Sequence, residues 1–115
     1  MLTRALFERL GFERDSSLLT DEPPGYRYDF GGFVLTAAQL MSKYFQPVFV
    51  ISGIYHTNRV LADIWVEMPL EVDTFEQGVA WIAYSLVDVQ LEKCPDWLAQ
   101  GRSWQGHLPW VRRIG

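Results

Sequence analysis

Few residues here have the chemistry to attack a reacting centre or hold a metal: Ser52, His56, Asp63, Cys94 and His107. A nucleophilic triad would need Ser52 or Cys94 within reach of a histidine that a carboxylate such as Asp63 orients. Ser52 and His56 do not have the spacing of a nucleophile elbow, and Ser52-Gly53 lies in an apolar strand pattern where glycine marks a bulge or twist. Cys94, between Lys93 and Pro95, reads as a small hydrophobe before it reads as an activated thiol. A metal needs His, Cys and carboxylates to converge, yet His56, His107 and Cys94 are far apart in sequence. Pro69, between Glu67 and Glu71, prevents the helix that would align those two acids. Gly31-Gly32 has neither the third glycine nor the Gly-Lys-Ser of a phosphate loop. The expectation is a protein that is not an enzyme, with no catalytic residue, cofactor or metal. The alternative is a small enzyme or ligand-binding domain using His56 and a nearby carboxylate.

Charge is better organised than reactive chemistry. Between Val60 and Glu92 stand seven acids, Asp63, Glu67, Glu71, Asp73, Glu76, Asp88 and Glu92, and not one Lys or Arg. At the chain's average rate about three bases are expected in such a window. Residues 1–59 hold six acids and six bases, and residues 93–115 hold Asp96 against Lys93, Arg102, Arg112 and Arg113, so the net charge of −4 arises in the middle. A surface of one sign steers and orients a partner of the other. Asp63, Trp65, Glu67, Glu71, Asp73 and Glu76 are the expected partner-binding residues. Asp73 and Glu76 would also be favourable at a helix N-terminus whatever the function.

A chain of 115 residues is expected to form one domain, with residues 1–100 as the body and 101–115 as a C-terminal tail. A 49% hydrophobic fraction and 17 aromatics, five of them Trp, argue against disorder. The single cysteine rules out an intramolecular disulfide and fits a reducing compartment. Arg4, Glu8 and Arg9 interrupt the N-terminus, so it has no signal-peptide core, and Val48–Tyr55 is too short to span a bilayer. A cytoplasmic location with no membrane partner is expected.

Stepping along the chain, Leu2, Ala5, Leu6 and Leu10 recur at helical spacing before Gly11, predicting a helix over residues 2–10 with a left-handed glycine cap. Glu13 to Gly25, with its Pro-Pro-Gly, reads as a loop. Tyr26–Phe30 and Phe33–Met41 read as a hairpin about Gly31-Gly32, whose glycines supply positive φ angles. Residues 36–45 also carry helix-favouring Ala37, Ala38, Gln39, Leu40 and Met41, and strand is the reading kept. Gln46–Tyr55 reads as a strand, followed by a turn at His56, Thr57 and Asn58. Val60–Met68 alternates, with Ala62, Ile64, Val66 and Met68 on one face. Thr74 and Gln77 form a capping box, and Phe75, Val79, Ile82 and Leu86 then mark a helix over residues 75–89. Its other flank, Ala80, Trp81, Ala83, Tyr84 and Val87, is apolar too, so either two sides are covered or part awaits a partner. No period organises Trp97, Trp104 and Trp110, which predicts an irregular tail.

The fold expected is α+β: one two-layer unit of about four antiparallel strands, an N-terminal helix and a longer helix near 75–89. The function expected is that of an acidic interaction domain facing a basic protein surface, that of a nucleic-acid-binding complex being the natural candidate. Small inhibitors that phages and mobile elements direct against restriction or CRISPR systems fit that description as a class-level analogy. Three alternatives stand beside it. The first is a self-associating adaptor or homodimer burying Trp65, Trp81 and Tyr84. The second is the His56 reading above. The third is RNA binding through Arg102, Trp104, Trp110, Arg112 and Arg113. A pI near 5.0 disfavours direct nucleic-acid binding by the body.

Overall fold

The computed structural model describes residues 5–15, 25–41, 47–55, 64–69 and 71–110. Among them five strands form one antiparallel sheet in chain order: β1 (Glu13–Asp15), β2 (Gly25–Asp29), β3 (Phe33–Met41), β4 (Pro47–Tyr55) and β5 (Ile64–Glu67). Helix α1 (Ala5–Leu10) precedes the sheet, and α2 (Phe75–Ser85), α3 (Asp96–Ser103) and a 3₁₀ turn (Gln105–His107) follow it. The architecture is α+β, as the patterning implies, with one strand and one helix more than expected.

Both additions come from weak local signals. The expected loop from Glu13 begins instead as β1, a three-residue strand of charged side chains held by its ladder with β2, in which Arg14 stands opposite Tyr26. Polar edge strands lack the apolar alternation that makes a strand legible. The expected irregular tail is helical, because Leu98 and Gly101, three apart, bury one face of α3. A side chain at Gly101 would place its Cβ 2.7 Å from the Val79 carbonyl oxygen and 2.9 Å from the Ala83 Cβ, so glycine is what lets α3 approach α2 closely.

The local devices are otherwise as the sequence dictates. Gly11 caps α1 with φ of 92°; its N–H donates to the Glu8 carbonyl, and the Phe12 N–H reaches back to the Phe7 carbonyl at 2.9 Å. This is a Schellman motif, and the Phe7 and Phe12 rings close it edge-on. In the β2–β3 hairpin only Gly31 takes positive φ, the pattern of a type II′ turn, so the second glycine is not required for its φ angle. β3 is strand through Met41, and its register with β4 runs unbroken from Phe33 opposite Tyr55 to Met41 opposite Pro47. Gly53 therefore marks no bulge. It makes room for the Phe33 ring, which a Cβ at Gly53 would overlap. The capping box of α2 is formed, with Gln77 N–H donating to the Thr74 hydroxyl and Thr74 N–H donating to the Gln77 side chain. The helix stops at Ser85, short of residue 89, because the Leu86 N–H is shared between the Ile82 and Ala83 carbonyls and the chain tightens into a turn.

All three helices lie on one face of the sheet. Tyr26, Phe30, Phe33, Leu35, Ala37 and Ile51 share a core with Phe7, Val79, Ile82, Leu86 and Leu98. Trp97 joins it between Phe12, Tyr28 and Phe30, and Trp104 and Trp110 pack against it half-buried. Through residue 110 the C-terminal region thus wraps the body. Val34 and Val50 are buried outside that core, on the opposite face with Thr36 and Ser52, whose hydroxyls are 2.6 Å apart.

Candidate interaction surface beside strand β5

Three short-range effects place the acidic residues. Ile64 and Val66 turn toward the core, so Glu67 at the end of β5 is exposed. Met68 and Val72 then bury at 8% and 2% exposure and pin the link to α2, while the Val72 N–H donates to the Pro69 carbonyl to close a turn. Glu71 is exposed between those anchors and Asp73 directly after them, and Glu76 is exposed in the first turn of α2. The Gln77 side-chain oxygen accepts from the N–H groups of both Asp73 and Thr74, which fixes the approach to the helix.

Folding divides the acidic block into separate regions. At the N-terminal end of α2, the Arg9 guanidinium of α1 sits 3.9 Å above the centre of the Phe75 ring and brings to that end of the helix a positive charge that the acidic stretch itself does not contain. Glu92 stands over the hairpin turn, where a Cβ on Gly31 would lie 3.4 Å from its carboxylate. Glu67 and Asp88 take a third place: both line an open groove of about 380 Å³ with Val66, Tyr84, Val87 and Trp110. Among the described residues, the groove's lining has two acids and no base.

That groove is where apolar surface meets water. Ala80, Trp81 and Ala83 on the second flank of α2 are buried, whereas Tyr84 and Val87 stay 48% and 60% exposed. They are the large hydrophobics left open among the described residues, and both lie in the same groove as the two acids. Among the described residues, Glu67 is the one expected partner-binding residue that lines it. Trp65 stands opposite Ser52 in the ladder, with its side chain outside the described residues, as Asp63 is entirely. Asp88, Val87 and Trp110 belong to the groove without having been expected there. The doubly apolar pattern of α2 pointed to Val87, but only the fold joins it to β5.

Other candidates are less coherent. A second recess, about 530 Å³, mixes Glu13, Arg27 and Asp29 beside Tyr28 and so has no single sign. Among the described residues no three His, Cys, Asp or Glu side chains are placed to share a metal. His56 lies outside the described residues, and Cys94 is exposed. No helix among the described residues is long and apolar enough to cross a membrane. No protein-family model, curated protein or solved structure matches the chain.

Proposed function

We propose that this protein works by binding another protein, presenting the acidic, apolar-floored groove between β5 and the end of α2 to a basic surface. The observation that carries the reading is the coincidence of Tyr84 and Val87, the exposed large hydrophobics among the described residues, with Glu67 and Asp88 in one groove whose described lining holds no base. Exposed apolar side chains supply affinity by leaving water, and the carboxylates select and orient a partner of opposite charge. Glu71, Asp73 and Glu76 extend the negative field along the link to α2. Basic surfaces that hold phosphates also suit an acidic domain, so an inhibitor of a nucleic-acid-binding protein or complex, of the anti-CRISPR or anti-restriction kind, is the specific form of the proposal. A cytoplasmic site of action goes with it.

The test begins with capture of a partner from the native cell and its identification by mass spectrometry. Reversing Glu67, Glu71 and Asp73 to Lys should slow association with the purified partner and flatten its salt dependence, leaving the fold intact. A partner that is not basic, or one that binds the triple variant as fast as wild type at low salt, would remove this surface from consideration.

A further inference from the structure

We propose that the groove is a strand-addition site, in which an extended segment of the basic partner pairs with β5, seats apolar side chains against Tyr84 and Val87, and sets Lys or Arg beside Glu67. This rests on the interaction reading above and gives it a binding mode. Among the described residues β5 pairs with β4 and forms one edge of the sheet, so its other side presents backbone N–H and C=O groups to an incoming strand. The groove opens at that edge: Val66 and Glu67 contribute from the strand, and Tyr84, Ser85 and Val87 from the end of α2 and the turn after it.

Alternation then fixes the chemistry of the occupant. Val66 turns toward the helices and Glu67 is exposed. Residues of an added strand level with Val66 therefore point into the apolar groove, while those level with Glu67 stand beside a carboxylate, where an opposite charge is favoured. The complement is a short segment of alternating apolar and basic residues, about four to six long to match the four residues of β5. A second copy is a poorer occupant, since two-fold pairing here would set the acids of two chains, each of net charge −4, against one another.

The test uses the full chain and a fluorescein-labelled hexapeptide of alternating lysine and valine, followed by anisotropy. Two derivatives are N-methylated on one or the other alternate set of backbone nitrogens, and a third carries glutamate for lysine. Saturable binding is expected for the parent, with a loss of about tenfold or more on methylating one set and little change on methylating the other. The glutamate peptide should not bind, and the amide hydrogens of residues 64–67 should exchange more slowly in the complex. Glu67→Lys and Tyr84→Ser, both on exposed side chains, should each weaken the parent peptide while circular dichroism stays that of the wild type.

The outcomes separate the binding mode from the reading beneath it. Equal affinity for the parent and both methylated peptides, with sensitivity to Glu67→Lys retained, overturns strand addition and leaves the acidic groove standing. Absence of saturable parent binding likewise overturns strand addition alone, because a folded basic partner need not offer a free strand. Binding indifferent to both Glu67→Lys and Asp88→Lys removes the groove itself. Concentration-dependent dimerisation lost in Glu67→Lys would assign the groove to a second copy. Tighter peptide binding on changing Val111 and Ile114 to Ser, which leaves the charge unaltered, would assign it to the chain's own C-terminal residues. Either assignment overturns the proposal.

Discussion

The two ends of α2 share one acidic stretch of sequence and are built differently. At the N-terminal end the capping box satisfies backbone donors, Val72 is buried just ahead of the helix, and Arg9 lies over Phe75. At the C-terminal end the helix tightens into a turn that leaves Tyr84 and Val87 in water, beside Glu67 and Asp88. The first end is capped and carries a base near its acids; the second is apolar and acidic together, with no base among the described residues. The difference teaches that net charge along a sequence does not locate a binding surface. Acids whose field is offset by a base from another element contribute less steering than acids left beside uncovered apolar area.

That contrast can be broken by substitution. The largest effect is expected midway along the helix, where Ile82→Ala empties a fully buried site and should cost about 2–5 kcal/mol in a denaturant titration. Wild-type stability in that variant would mean the buried face is misassigned. Gly101→Ala forces a Cβ against the Val79 carbonyl and should cost about 1–3 kcal/mol, since a backbone oxygen cannot swing away as a side chain can. At the capped end Thr74→Ala removes half of the capping box, for a loss of about 1 kcal/mol in the same titration. At the open end Tyr84→Ser and Val87→Ser should each shift stability by less than about 0.5 kcal/mol, because both side chains are already half in water, while weakening partner binding. A large loss of stability at Tyr84 would show that the open end is structural and erase the contrast.

Much of the scaffold was legible because its signals are local. The Gly11 cap, the Thr74–Gln77 box, the alternation read up to Met68 and the stripe from Val79 to Leu86 each depend on residues within a few positions of one another. What was hidden depends on remote ones. β1 exists through its pairing with β2 rather than through its own charged residues, and α3 declares itself by Gly101 fitting against α2. The groove was half legible: Glu67 stood out by charge and Tyr84 and Val87 by an apolar flank with no evident cover. Their meeting required β5 and the end of α2, about twenty residues apart along the chain, to be brought side by side. Arg9 over Phe75 had no sequence signal, because the two residues belong to different helices.

The most direct measurement compares association rates of the purified partner, at low and moderate salt, with two charge-reversed chains. One carries Glu67→Lys in the groove; the other carries Glu13→Lys, the same change of charge on the opposite edge strand. Steering by the groove predicts that the groove variant associates about tenfold or more slowly at low salt and loses most of its salt dependence, while the Glu13 variant stays close to wild type. Equal slowing by both would mean that only the overall charge matters, and an unchanged rate in the groove variant would contradict the account outright.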